Sequence, residues 1–214
     1  MDHQRAYWDR VAADKTFTHP LDDRWLAKCV GPKSRILDYG CAYGRTLDAL
    51  ARRGFENTLG VDFSQTMIDR GRRTFPQFDL RVIDEPPIAE PDASFDLVIL
   101  FAVLTCILAD GDQVQLIAEL HRLLRPGGVL YISDMPLQSD GRNQARYAAG
   151  MARFGTWGAF ETDDGAIVRH HPLGHFDGLL ADFERLAARP IQLTTMNGHA
   201  AAGLQILARR PAGR

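Results

Sequence analysis

Cysteine is scarce. Three in 214 residues, at positions 29, 41 and 106, leave no even set and no Cys-x-x-Cys spacing, so neither a disulfide framework nor a cysteine zinc site is expected and the thiols should be reduced. Long apolar runs are missing too. Nothing approaches the roughly 20 residues that cross a bilayer, and the opening MDHQRAYWDRVAADK is too charged for a secretory signal. A soluble, cytoplasmic protein with no membrane partner is the expectation. Neither sign of charge dominates: 25 lysines and arginines against 27 acidic residues give a formal net charge of −2. That balance argues against a broad electrostatic grip on nucleic acid and favours a small molecule as partner. Internal repeats are lacking. What remains, 45% hydrophobic and 24% charged residues, is ordinary globular composition, and the length suits one α/β domain over 1–214.

Apolar runs alternate with helical periodicity along the chain. Strand-like runs occur at Arg35–Asp38, Thr58–Asp62, Leu80–Ile83, Phe95–Phe101 and Val129–Ser133, each bounded by Gly, Pro or Asp. Helical patterns at Thr46–Arg53, Ser64–Thr74 and Gln113–Leu124 fall between most of them, which implies βαβ units and a mostly parallel sheet covered on both faces. Ser64 is placed to cap the second of these helices, and Pro126-Gly127-Gly128 to end the third. Near the C-terminus two strand-like runs meet at Asn197-Gly198, a hairpin signal because both residues accept positive φ. Between Asp134 and Pro172 the pattern loosens into a helix over Arg142–Phe154 and a hairpin turning at Asp163-Asp164-Gly165. Tyr147, Phe154, Trp157 and Phe160 form this insertion's own small core or line a pocket.

The stretch RILDYGCAYGRTLDAL runs from strand to helix through small residues. Gly40 and Gly44 let backbone approach a ligand, and the helix N-terminus behind them offers free N–H groups. This is not Gly-x-Gly-x-x-Gly. About 20 residues on, LGVDFS puts Asp62 at the end of the second strand, where a carboxylate can accept hydrogen bonds from both hydroxyls of a ribose. Phe63 then packs on an adenine face or covers the sheet edge, and Asp84, after the third strand, can accept from an adenine amino group.

Taken together, ILDYGCAYGR, LGVDFSQTMIDRGR, VID, FDLVILFAVLTCI and LHRLLRPGGVLYISD resemble the class I S-adenosylmethionine-dependent methyltransferases in order and spacing. The resemblance covers roughly Ser34 to Asp134. It implies a Rossmann-like, doubly wound, seven-stranded, mostly parallel sheet with an antiparallel C-terminal hairpin strand, S-adenosylmethionine as cofactor and S-adenosylhomocysteine as product. By the same resemblance Asp38 lies near the methionine amino group, Gly40, Cys41, Ala42 and Gly44 shape the loop against the cofactor, and Asp62 holds the ribose. Asp84 meets the adenine, Phe63 and Met67 belong to the same cofactor-binding set, and Phe101 offers its carbonyl to the ammonium group. Ala42 and Tyr43 depart from the family's usual glycine and small polar residue, and Tyr43 is expected to shape the methyl-donor side.

A methyl acceptor is harder to read. His170 and His171 are candidate general bases, facing opposite sides of a strand. His171 and His175 suggest a metal pair, but Pro172 and Gly174 spoil helical geometry there, and no metal is expected. Residues 1–30, with Tyr7, Trp8 and His19, form either a lid over the cofactor or a helix that merely packs on the sheet. With Tyr43, Thr105 and Tyr147 they are the expected acceptor-side residues, and the insertion over 135–175 contributes to the same pocket. Phe101-Ala102-Val103-Leu104 lacks the Asn-Pro-Pro-Tyr character of amino-methyltransferases acting on DNA bases or protein glutamine. Methylation of an oxygen or nitrogen on a small molecule is the leading expectation. A non-catalytic nucleoside-binding module and an NAD-dependent oxidoreductase are the alternatives.

Overall fold

The computed structural model describes residues 2–84 and 86–213. Strand β4 (Phe95–Phe101) sets the architecture. Phe95, Leu97, Val98, Ile99 and Leu100 are all fully buried, so neither face of the strand meets water. Val98 and Leu100 pack with Leu116, Leu120 and Leu123 of helix α5 (Asp110–Leu123). Leu97 and Ile99 point the other way, to Leu26 of α2 (Asp23–Cys29) and Leu50 of α3 (Arg45–Ala51). Each such side chain contributes about 1.5–3 kcal/mol by burial, and a run buried on both faces belongs in the middle of a parallel sheet.

The remaining strands of that sheet are β1 (Ile36–Tyr39), β2 (Thr58–Asp62), β3 (Asp79–Val82), β5 (Leu124–Asp134), β8 (Glu184–Thr194) and β9 (Ala200–Arg209). Their order is β3-β2-β1-β4-β5-β9-β8. Parallel pairing links β3 through to β5, and β9 runs antiparallel to both of its neighbours. Helix α4 (Gln65–Thr74) carries the crossover from β2 to β3. The strand order reverses between β1 and β4, and a crevice opens at the carboxyl ends of strands at such a point.

Local chemistry explains where the elements begin and end. Ser64 caps α4, its Oγ accepting from the Met67 N–H at 3.2 Å. Gly44, at φ +87°, turns the chain into α3. Pro126-Gly127-Gly128 does not end α5 as the sequence suggested; the helix gives way at Leu123, and these residues lie inside β5, where the Gly127 N–H donates to the Arg210 carbonyl. The C-terminal turn spans residues 195–199, wider than a two-residue hairpin, and of Asn197 and Gly198 only Gly198 takes positive φ. Pro190 is tolerated because β8 is an edge strand.

The helix and hairpin of the insertion form as the sequence indicated: α6 (Gly141–Phe154), then strands β6 (Ala159–Glu161) and β7 (Ile167–Arg169) in a separate two-stranded sheet; a short helix, α7 (Leu173–Leu179), follows where the sequence indicated none. Tyr147 is fully buried and meets the rings of Trp157 and Phe160. Helix α1 (Asp2–Val11) packs on α4.

Candidate functional site

A cavity of about 430 Å³ sits at the crevice, within the range of ligand pockets. Its floor is the loop after β1. Gly40 adopts φ +78°, and a Cβ there would lie 2.4 Å from Val103 Cγ2, so only glycine fits. Ala42 and Ala102, both lining the cavity, hold positive φ without being glycine, a strain that clusters at ligand sites.

Asp62 holds this loop in place. Its Oδ2 accepts from the Ala42 N–H at 2.9 Å and its Oδ1 from the Ser64 N–H at 2.8 Å, and the residue lines the cavity. Burial pushes its pKa up to about 6 against those hydrogen bonds. Asp38 is almost fully buried, and its Oδ2 has no hydrogen-bond partner among the described residues. Burial raises Asp38 to about 7, with Arg45 pulling the other way. An orphaned carboxylate oxygen beside a side-chain-free loop fits an ammonium group, and Asp62 fits a pair of hydroxyls. The residues present fit S-adenosylmethionine: Asp38 could hold its amino group, Asp62 the ribose, and Gly40 and Ala42 leave room for it beside the loop, with Phe101 among the same walls. Phe63 and Met67 line the same cavity and present apolar surface for the base.

The cavity gathers Asp38, Gly40, Cys41, Ala42, Asp62, Phe63, Met67, Asp84 and Phe101 of the expected cofactor set. Gly44 is not among its walls and acts instead as the turn into α3. Asp84 lies two residues beyond β3, its side chain 86% exposed and paired with Arg5 at 2.9 Å, so it meets the cavity only at the rim. On the acceptor side Trp8, His19 and Thr105 line the cavity, whereas Tyr7, Tyr43 and Tyr147 do not. Tyr43 is turned away from the donor side, because its ring stacks under the Arg70 guanidinium at 3.8 Å and against Phe17. Tyr7 donates its hydroxyl to Asp164 at 2.9 Å. His19 bonds Ser133 Oγ through Nδ1 at 2.8 Å, and burial, then Arg45, lowers its pKa to about 4.

The two histidines of the strand part company. His170 lines the cavity, with Nδ1 bonded to the Tyr147 hydroxyl at 2.7 Å. His171 is fully buried outside it, bonded to Gln113 at 2.8 Å and stacked on His175; it has no path to a methyl acceptor. Among the described residues no cluster of three or more His, Cys, Asp or Glu is placed to hold a metal ion.

Other cavity residues were not foreseen: Arg45, Val103, Arg142, Asn143, Arg146 and Met196. Arg45 follows the glycine turn directly and donates to the His19 carbonyl at 2.7 Å. Arg142 and Arg146 carried one usable signal, their i,i+4 spacing on a helix face. Met196 arrives only because the C-terminal hairpin folds back over the crevice.

The N-terminal segment covers the cavity through polar ties. Asp9 accepts from Ser64 Oγ at 2.6 Å and from the Thr66 N–H at 3.2 Å. Gln4 donates to the carbonyls of Cys106 and Ile167. Asp164, at the β6–β7 turn, accepts from Tyr7, Lys15, Thr162 and Asn197, joining the N-terminal segment, the insertion and the C-terminal hairpin.

Residues 36–128 match the family model of a methyltransferase domain. A probable S-adenosylmethionine-dependent methyltransferase of Mycolicibacterium smegmatis is 32% identical over 51% of this chain and 40% of its own length. The ubiquinone biosynthesis O-methyltransferase of Pseudomonas aeruginosa is 29% identical over 59% of this chain and 56% of its own. The match thus spans about half the length of these curated relatives. A crystal structure of a methyltransferase from Methanosarcina mazei shares the fold, with a TM-score of 0.85 over 91% of this chain and all of that one at 21% identity. Motif order and the matching domain model agree that residues 36–128 are similar to a methyltransferase domain, and the sheet order matches the fold of the Methanosarcina mazei protein.

Proposed function

We propose that this protein transfers a methyl group from S-adenosylmethionine to an oxygen or nitrogen of a small molecule. The observation that carries the reading is one continuous cavity with the Asp38–Gly40–Asp62 constellation at one end and residues of the insertion and C-terminal hairpin at the other. When bound, the cofactor supplies an electrophilic methyl carbon on a sulfonium. The chain's own part is positioning: Asp62 and Asp38 fix two ends of the donor, and apolar walls from Trp8, Phe17 and Val103 keep water out. Orienting the reactants can supply most of such a rate enhancement. A small acceptor is favoured by the enclosure of the far end under three separate segments, and by the O-methyltransferase among the relatives.

The test is calorimetry with S-adenosylmethionine, S-adenosylhomocysteine and NAD, followed by methyl transfer from labelled cofactor to a metabolite extract. Binding of the first two without NAD, and label in a low-molecular-weight product, is expected. Tight binding of NAD alone would overturn the reading, and nucleoside binding with no labelled product would favour the non-catalytic module.

A further inference from the structure

Beyond Asp134, the residues lining the cavity include two arginines, Arg142 and Arg146, two histidines, His170 and His199, and no acidic residue. Carboxylates nearby are committed elsewhere. Asp140 caps α6, bonded to the Asn143 N–H and side-chain amide. Asp164 is taken by its four donors, and Glu161 pairs with Arg153. Asp163 faces Arg146 at 3.5 Å, but its side chain is 89% exposed, so water screens the pair. Arg142, exposed at the cavity mouth with Asp140 nearby, has no hydrogen-bond or ion-pair partner among the described residues. Two cations one helical turn apart repel, which makes their placement on a cavity wall informative.

His170 adds a donor. The Tyr147 oxygen accepts the Gln138 N–H at 3.0 Å and lies 2.7 Å from His170 Nδ1, an arrangement in which its hydroxyl proton can be given to the ring. A neutral imidazole that accepts at Nδ1 carries its proton on Nε2. Burial, reinforced by Arg146, keeps the ring neutral, its pKa lowered to about 4. The residue is 93% buried, and Nε2 has no partner among the described residues. In that tautomer it offers the cavity an N–H, whereas the sequence made it a candidate general base.

We infer that this end of the cavity is a carboxylate-binding subsite, in which Arg142, Arg146 and the Nε2–H of His170 receive an anionic group on the methyl acceptor. Arginine suits the planar, two-oxygen geometry of a carboxylate. Arg146 is partly pre-oriented by stacking its guanidinium 5.1 Å from the Phe160 ring. The neighbouring walls, Phe160, Val168, Leu193 and Met196, are apolar, so the acceptor is a small organic acid with a hydrophobic body. That the anion belongs to the acceptor rests on the proposed methyltransferase reading; the subsite itself does not.

Binding separates the two. Protein saturated with S-adenosylhomocysteine is titrated with acid and amide pairs of equal shape: benzoate and benzamide, 4-hydroxybenzoate and 4-hydroxybenzamide, hexanoate and hexanamide. At least one acid should bind about tenfold or more tightly than its amide, as expected for hydrogen bonds to a charged group. The Arg142→Gln/Arg146→Gln variant should lose that preference while keeping its affinity for S-adenosylhomocysteine. Equal binding of every acid and its amide, or a preference that survives the double variant, would overturn the subsite. Absence of S-adenosylhomocysteine binding in the wild type would instead overturn the methyltransferase reading, and the acid titrations repeated on the free protein would still decide the subsite. Imidazole ¹⁵N shifts provide a second check, expected to show His170 as the Nε2–H tautomer; the Nδ1–H tautomer would remove it from the subsite.

Discussion

Asp38 is the residue whose environment most plainly asks for a partner, because burial holds its carboxyl near pKa 7 with one oxygen unbonded. An ammonium group placed against it would favour the ionised form, so binding must release whatever proton Asp38 carries. At pH 7 that is about half a proton, since pH and pKa coincide. The sign follows: cofactor affinity should rise with pH through about 7 and level off above it, as the protonated form becomes rare. Calorimetry of S-adenosylhomocysteine binding in buffers of different ionisation enthalpy measures the release, and a release unchanged between pH 7 and 8.5 would remove Asp38 from the ammonium site. Asp62 does more than a ribose ligand would, because its two oxygens also fasten Ala42 and Ser64. Asp62→Ala should therefore weaken S-adenosylhomocysteine binding by about 1.5–3 kcal/mol and also lower the melting temperature, whereas a residue that only touched ligand would change affinity alone. The sequence made this aspartate legible through its place at a strand end. Its bracing role needed the fold, because nothing in the spacing says that the Ala42 N–H turns back toward it.

At the level of elements, the insertion depends on a close approach that helix propensity would miss. Gly150 lies in the middle of α6, and alanine there would ordinarily add about 1 kcal/mol of helix stability. A Cβ at that position would sit 1.9 Å from the Ala159 carbonyl oxygen of β6. Helix and strand would have to separate, so Gly150→Ala should destabilise the protein by about 1–3 kcal/mol, the range for overpacking; a raised melting temperature would show that α6 and β6 are not in this contact. Asp164 ties the covering elements together. Burial raises its carboxyl, but hydrogen bonds from Lys15, Thr162, Tyr7 and Asn197 outweigh that and hold it well below the usual carboxylate range. Asp164→Asn removes the charge that Lys15 meets and turns an acceptor oxygen into a donor. Tryptic cleavage around Arg10 and Lys15 should accelerate in this variant while the central sheet melts nearly as before. Unchanged cleavage would mean that α1 is held by its packing on α4 alone. The β6–β7 turn was readable from Asp163-Asp164-Gly165, yet its partners at Lys15 and Asn197 lie 149 and 33 residues away in sequence, beyond the reach of local patterning.

For the molecule as a whole, the parallel half of the sheet was readable because its central strands are buried on both faces and bounded by turn residues, as β4 shows, while β3, at the edge, buries one face only. The extent of β5 and β8 was not. Both continue through residues that usually interrupt strands, Pro126-Gly127-Gly128 and Pro190, which survive because one stretch begins the strand and the other sits on an edge. The same division holds for the proposed site. The residues proposed for its donor end come from consecutive βα turns and stand in order in the sequence, while the proposed acceptor end is assembled from α1, the insertion and the C-terminal hairpin, which only folding brings together. That assembly predicts how the whole protein responds to ligand. A molecule bound to the folded state alone stabilises it by RT ln(1 + [L]/Kd), about 2.7 kcal/mol at one hundred times Kd. For a chain of this size each kcal/mol raises the melting temperature by about 2–4 °C. S-adenosylhomocysteine at that excess should therefore shift melting upward by about 5–11 °C, in a single transition because the cavity is walled by the sheet and its covering segments alike. NAD at equal concentration should leave the transition where it is. A shift with NAD as large as that with S-adenosylhomocysteine would mean that the Asp38–Asp62 constellation recognises no more than an adenosine, and the donor assignment would fall with it.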